Sequence, residues 1–212
     1  MSSYSNRNLP LFPLEVVLFP GSLLPLHIFE ERYKTLINRC IQDNTEFGVN
    51  LFDAAKMNPI GCSAVLKRVV KKHRDGKLDI IVEGKSRYTV KHLVESESPY
   101  FVAKVTFFSD KAEEVDDALR RTSIALYNRF VQAAFKGSVA PASETSLDTA
   151  ISFFLVQKAG LGLKERQQLL AMKSENERLR MLNRHFESAL PLIASREKHE
   201  RIVLNDGYLT PS

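Results

Sequence analysis

The chain has 212 residues, of which 44% are apolar and 26% are charged. This composition excludes an intrinsically disordered chain and allows a core that needs no disulfide. The net charge is +5, but basic residues slightly outnumber acidic ones in both halves, which excludes a basic tail of the kind that binds nucleic acid. The start, MSSYSNRNLP, does not resemble a signal peptide, and the most apolar region (residues 9–29) is interrupted by prolines. We therefore expect a cytoplasmic protein that does not span a membrane.

The first segments predict short strands and one helix. The runs LPLFPLEVVLFPG and SLLPLHIF are extended but punctuated by proline, which is typical of edge strands and turns. The next segment, EERYKTLINRCIQD, changes to a helical period. Its apolar residues recur at i, i+3, i+4, i+7 and i+8, namely Tyr33, Leu36, Ile37, Cys40 and Ile41. Because Cys40 lies in this stripe, we expect a buried core thiol.

A β-hairpin is predicted around Asp75-Gly76. This dipeptide lies between two β-branched runs, a pattern that favours a two-residue turn with positive φ. On the return strand Leu78, Ile80 and Val82 alternate with other residues, which predicts one buried face. A further strand is expected from Tyr100 to Phe107.

After Asp110 the pattern becomes helical. Helices are predicted around Leu119 to Phe130, over residues 147–155 and from a capping box at Ser174 and Glu177. Pro191 is expected to end or kink the last helix. The predicted organisation is a β-rich subdomain at 9–110, an α-helical subdomain at 111–200 and a loose tail at 201–212.

The segment VEGKSRYTV contains Gly84-Lys85-Ser86, the last three residues of a phosphate-binding loop motif. The first glycine of that motif is replaced by Asp79, whose carboxylate would repel phosphate, and an extended segment follows where a helix is required. We therefore exclude nucleotide binding at this segment. The five histidines form no HExxH pattern, and no GxSxG motif occurs. We expect no catalytic residues, no metal site and no cofactor.

Five segments, in chain order, together resemble one known family. They are LPLFPLEVVLFPGSLLPLHIFEERY, GCSAVL, EGKSRYTV, SPYFVAKVTFFSD and LLAMKSENERLRMLNRHF. The chain resembles, from about residue 9 to residue 190, the LON domain, which is the amino-terminal substrate-binding region of the ATP-dependent Lon protease. The resemblance implies an α+β fold in which a six-stranded PUA-like pseudo-barrel with one helix precedes an α-helical bundle.

The resemblance also implies a function. The ATPase and protease domains of full-length Lon come later in its sequence, so we expect a stand-alone LON domain that neither hydrolyses ATP nor cleaves peptides. Its expected partners are unfolded or partly folded polypeptides. Delivery of these clients to a separate protease is left open by the resemblance.

Candidate polypeptide-binding residues lie at a strand–helix junction and in two aromatic pairs. Adjacent rings cannot both face one core, so one ring of Phe107-Phe108 and one of Phe153-Phe154 are expected to be exposed. The candidates are His27, Glu30, Arg32, Tyr33, Phe108 and Phe153. A purely structural role is favoured for the junction, in which Glu30 and Arg32 fix the helix start and Tyr33 lies in the core. Arg87 is expected to pair with an acidic neighbour.

The alternative function is RNA binding through the predicted hairpin. Its basic residues are Lys67, Arg68, Lys71, Lys72, Arg74 and Lys77. Clustered cations bind phosphates, but no aromatic residue lies among them to stack on a base. We favour a solvated hairpin whose lysines prevent edge-to-edge aggregation.

Overall fold

The computed structural model describes residues 6–143 and 150–205, with side chains described for 7–143 and 150–196. The six strands are β1 (Asn6–Leu14), β2 (Leu23–Ile28), β3 (Phe47–Asp53), β4 (Lys56–Lys72), β5 (Leu78–Val94) and β6 (Val102–Phe107). The helices are α1 (Glu31–Asp43), α2 (Asp117–Phe135), α3 (Ile151–Leu155), α4 (Leu163–Ala171) and α5 (Glu175–Asn205), and a 3-10 turn (Val156–Lys158) follows α3. The fold is α+β, as predicted.

The strands form one sheet in the order β2-β5-β4-β3-β1-β6, and β5 also pairs with β6. Strand β5 can pair with both β2 and β6, at the two ends of the strand order, because it is 17 residues long. Its first half pairs with β2 and its second half with β6. Strands β1 and β3 are parallel. The description as a PUA-like pseudo-barrel followed by a helical bundle stays a prediction.

The predicted apolar faces of α1 and β5 are confirmed. On α1 four of the five predicted residues are buried, namely Tyr33, Leu36, Ile37 and Cys40, and Ile41 is half-buried. On β5, Leu78, Ile80 and Val82 are at most 3% exposed, whereas Asp79 and Ile81 are only half-buried. A two-residue period therefore places one face of the strand in the core.

The hairpin between β4 and β5 is confirmed, but its turn is not the predicted two-residue type. The Gly76 amide donates to the His73 carbonyl (3.1 Å), and the His73 amide donates to the Lys77 carbonyl (2.9 Å). Within this turn only Gly76 has a positive φ, at 81°. A three-residue loop with glycine in the left-handed region closes the hairpin, and Asp75 needs no unusual conformation.

Gly84 lies inside β5, where a neighbouring loop approaches the strand closely. Its amide donates to the Ser22 carbonyl, and its carbonyl accepts from the Gly21 amide, both at 2.9 Å. A Cβ at Gly84 would lie 2.2 Å from the Phe19 carbonyl oxygen. The glycine of the G-K-S segment is therefore required for close backbone packing.

The helical part differs from the predictions at α5. The Ser174 hydroxyl accepts from the Glu177 amide (3.1 Å), as the capping box predicts. Helix α5 continues through Pro191 to Asn205, so this proline does not end the helix, and the alternative prediction of a kink stays a prediction. The predicted loose tail is wrong for 201–205, which are helical, while 206–212 lie outside the described residues. Residue 147, in the predicted second helix, also lies outside them.

The chain divides into two compact units, Met1–Lys111 with Leu161–Lys173, and Ala112–Gly160 with Ser174–Ser212. The predicted helical subdomain at 111–200 is therefore wrong for 161–173, which belong to the first unit. Within that unit the Arg87 guanidinium donates to the carbonyls of Leu170 and Met172 at the end of α4. It also pairs with Asp110, the acidic neighbour that the sequence led us to expect.

Candidate functional site

The predicted junction residues Glu30, Arg32 and Tyr33 lie at the start of α1 and contact one another. The Arg32 guanidinium pairs with the Glu30 carboxylate at 2.8 Å and lies over the Tyr33 ring, 4.5 Å from its centroid. Tyr33 is 6% exposed, and its ring centroid is 4.0 Å from that of Phe12. Burial raises the pKa of Tyr33, so the phenol stays neutral. Tyr33 therefore lies in the core, while the roles of Glu30 and Arg32 stay a prediction.

A groove of about 330 Å³ begins at this junction. It continues along the end of β5 and the segment that leads into β6. Its lining comprises Arg32, Tyr33, Leu93, Val94, Glu95, Ser96, Ser98, Pro99, Tyr100, Phe101 and Val102. Leu93 and Phe101 are 51% and 47% exposed, although both are large and apolar. The groove thus combines apolar contact surface with a rim of polar side chains.

The backbone around the groove is fixed by hydrogen bonds. The Phe101 carbonyl accepts from the Leu11 amide in β1 (2.8 Å), and the Ser98 amide donates to the Ser96 hydroxyl (3.0 Å). Leu93 is paired with Ala103 across β5 and β6. The exposed positions of Leu93 and Phe101 therefore belong to the sheet and its immediate connection, so the apolar surface is pre-formed.

The other candidate residues are not part of this groove. His27 is exposed on β2 and pairs with Asp79. Phe108 is half-buried, with Arg87 and Lys173 over its ring at 4.8 and 5.2 Å from the centroid. Phe153 is only 4% exposed and is covered by the Arg178 guanidinium, 4.3 Å from its ring centroid, so its prediction as an exposed binding residue is wrong. Phe154 is the more exposed ring of this pair.

A second cavity of about 470 Å³ lies between α1 and β1 in the same unit. Its cations are already engaged, because Arg7 pairs with Glu46 (2.6 Å) and Arg39 contacts Asp43 (3.5 Å). Cys40 lines this cavity, and burial raises the pKa of its thiol. Burial likewise raises the pKa of Cys62 to about 12, so neither thiol is a ready nucleophile.

The basic hairpin is partly neutralised. Lys67 and Lys85 both contact the Glu83 carboxylate, and Lys77 contacts Asp75. These neighbours hold the pKa of the Glu83 carboxyl below its usual value, Lys67 having the larger effect. The remaining cations extend into solvent from the tip and the β4 strand, and they are Arg68, Lys71, Lys72 and Arg74. No Phe, Tyr or Trp lies between Lys67 and Lys77.

Residues 8–188 match the family model of the ATP-dependent protease La (LON) substrate-binding domain. The chain belongs to this family. The Lon protease of Brevibacillus choshinensis is 27% identical over 192 residues, which cover 83% of this chain and 24% of that protein. The Lon protease of Koribacter versatilis is 28% identical over 214 residues, covering 91% of this chain and 25% of that protein. The LON domain chain thus spans about a quarter of the length of the curated relatives that it matches.

Two solved structures have the same fold. The Lon N-terminal domain protein from Xanthomonas campestris has a TM-score of 0.65 at 24% identity, covering 83% of this chain and 96% of that one. The N-terminal domain of the Mycobacterium avium complex Lon protease has a TM-score of 0.64 at 15% identity, with 85% and 98% covered. The resemblance inferred from the sequence motifs is therefore confirmed.

Two residues of the LON domain groove, Leu93 and Phe101, were not among the sequence-based candidates. The sequence does contain a signal for these two positions, since Leu93 and Phe101 are large apolar residues at either end of a polar connection rich in serine and glutamate.

Within residues 6–143 and 150–205, no helix has both the length and the apolarity that crossing a bilayer requires.

Proposed function

We propose that this LON domain binds apolar segments of partly unfolded polypeptides in the groove formed by Arg32, Tyr33, Leu93, Val94 and Phe101. The observation that carries the proposal is the exposure of Leu93 and Phe101 on a hydrogen-bonded framework. Family membership supports it, because the matched family is named for substrate binding. The chain acts in this proposal as a binding module without catalysis.

Affinity at the groove comes from burial of apolar surface. A bound client side chain would cover the half-exposed faces of Leu93 and Phe101, each contributing roughly 1 kcal/mol or more as it leaves water. The groove rim offers Arg32, Glu95 and the serine hydroxyls to the polar backbone of an extended client. Because apolar burial is non-directional, selectivity for any one sequence is low.

The test is a titration of the purified chain with a reduced and alkylated model protein that cannot fold. Binding is followed by fluorescence anisotropy of the labelled model protein. We expect the double variant Leu93→Ser with Phe101→Ser to weaken binding by about tenfold or more, since about 1.4 kcal/mol corresponds to each factor of ten.

The matched control is Leu23→Ser, because Leu23 is 57% exposed in the same unit but does not line the groove. It removes a similar amount of exposed apolar surface and should leave binding unchanged. Equal losses in the control and in the double variant, with circular dichroism spectra like that of the parent protein, would contradict the assignment of the groove.

We further propose that the chain transfers bound polypeptides to a separate protease. Support comes from the relatives, which are Lon proteases.

The proposed scaffold is a PUA-like pseudo-barrel followed by a helical bundle. The pairing of β6 with β5, in addition to β1, supports the pseudo-barrel.

A further inference from the structure

Three side chains that the groove does not use converge on the outer face of β2 and β5. His27 Nδ1 lies 2.6 Å from Asp79 Oδ1, and His73 Nε2 lies 2.7 Å from Asp79 Oδ2. The two imidazole rings have centroids 5.8 Å apart at an interplanar angle of 86°. One ligand atom from each of the three residues can be chosen so that all three lie within 4.8 Å of one another.

The backbone places these residues together. His27 and Asp79 are direct partners across β2 and β5. His73 is held at the hairpin by the hydrogen bond from its amide to the Lys77 carbonyl (2.9 Å). All three positions are thus set by paired strands and a closed turn, which keeps the side chains close before any ligand arrives.

We propose that His27, His73 and Asp79 form a binding site for a divalent transition-metal cation of the zinc class, with water as the remaining ligand. Imidazole nitrogen and carboxylate oxygen are ligands that zinc accepts, and two histidines with one carboxylate leave one tetrahedral position open. This proposal is independent of the function proposed for the groove.

Side-chain rotation has to adjust the distances among the three ligand atoms, which now lie within 4.8 Å of one another. With bonds of about 2.0–2.2 Å and tetrahedral angles, two zinc ligand atoms lie roughly 3.4 Å apart. The present separations of 2.6 and 2.7 Å from the carboxylate oxygens would lengthen by rotation of the side chains. The side chains of His27, Asp79 and His73 are 52%, 34% and 29% exposed, so a hydrated cation has access and can keep a water ligand.

Neighbouring positive charge limits the affinity. Lys71 is the partner of Asp79 on β4, and Arg74 and Lys77 belong to the same hairpin. These cations repel a divalent ion through solvent, although Lys77 is paired with Asp75 at 2.7 Å. We therefore expect weaker binding than at a structural zinc site with thiolate ligands.

The test is an isothermal titration of the untagged full chain with zinc chloride, together with the visible absorption spectrum of the cobalt(II) form. We expect one ion per chain and a cobalt spectrum typical of four-coordination. Each of His27→Gln, His73→Gln and Asp79→Asn should weaken binding by at least about tenfold.

The matched control is His92→Gln, an exposed histidine farther along β5 that does not belong to the cluster. It should bind zinc as the parent chain does. Zinc binding that survives both His27→Gln and His73→Gln, or that falls equally in His92→Gln, would overturn the assignment. Absence of heat and of a cobalt spectrum in the parent chain would overturn it as well. Circular dichroism of each variant separates lost ligands from lost structure.

Discussion

Tyr88 illustrates what a single residue contributes to the first unit. It is fully buried in β5, and its hydroxyl donates to Asn50 Oδ1, while Asn50 Nδ2 donates to the Asn58 carbonyl (2.9 Å). Gly48 and Gly61 leave room for the ring, since a Cβ there would lie 2.1 and 2.6 Å from the Tyr88 hydroxyl oxygen. Local sequence patterns could not reveal the partner of the Tyr88 hydroxyl, because Asn50 lies 38 residues away.

We expect Tyr88→Phe to lower the free energy of unfolding by about 1–3 kcal/mol, because Asn50 Oδ1 stays buried without this donor. Urea unfolding followed by circular dichroism measures the change. The comparison is Tyr100→Phe, whose hydroxyl has only a 3.4 Å contact with Arg39 and whose loss should cost less. A larger cost for Tyr100→Phe than for Tyr88→Phe would contradict this role of the buried hydroxyl.

Strand β5 is the element on which the sheet depends. It pairs with β2, β4 and β6, and its midpoint at Gly84 is in hydrogen-bond contact with the loop that precedes β2. Local patterns predicted the alternation of Leu78, Ile80 and Val82, since a two-residue period is a property of one strand. The close approach at Gly84 and the exposure of Leu93 depend on partners distant in sequence, so local patterns could not predict them.

Gly84→Ala is expected to destabilise the chain by about 1–3 kcal/mol or more, because the new methyl group would collide with the Phe19 carbonyl and the backbone must move. Thermal unfolding measures the effect. Lys85→Ala, at the exposed neighbouring position, should cost less than about 1 kcal/mol, since it removes only a surface contact with Glu83. A greater loss in Lys85→Ala than in Gly84→Ala would be inconsistent with this account of the G-K-S segment.

At the scale of the whole molecule, motifs spread over the chain were sufficient to identify the family and the α+β class. They do not predict the groove that we propose as the binding surface. Arg32 and Tyr33 are neighbours in sequence, but the rest of the groove lining comes from β5, from the connection to β6 and from Val102 at the start of β6. The burial of Phe153 could not be predicted locally, because the guanidinium that covers its ring comes from Arg178 on a different helix.

The two functions considered from the sequence differ in their response to salt. The affinity of the apolar groove for an unfolded, weakly charged model protein should change less than about twofold between about 50 and 200 mM salt. The reason is that burial of apolar surface involves no ion pairs for salt to screen. RNA held by four hairpin cations should lose roughly 50-fold over the same range, at about 0.7 counterions per phosphate contact. Anisotropy titrations with both ligands measure these slopes.

The charge-reversed variant with Lys71, Lys72 and Arg74 changed to Glu provides the control for the salt experiment. It should bind the unfolded model protein as the parent chain does. Steep salt dependence for that ligand, abolished by the triple change, would instead assign polypeptide binding to the hairpin.

Helix α4 belongs to the first unit although it follows residues 112–160 of the second. The Gln167 side chain donates to Asn58 Oδ1 and to the Ile60 carbonyl. The Arg87 guanidinium donates to the carbonyls of Leu170 and Met172 at the end of this helix. The first unit is therefore complete only after residues 161–173 have been synthesised, although its strands end at Phe107. An expression fragment that ends at Lys111 lacks the Leu170 and Met172 carbonyls, which accept hydrogen bonds from the buried Arg87 guanidinium. A minimal fragment therefore has to extend to at least Lys173.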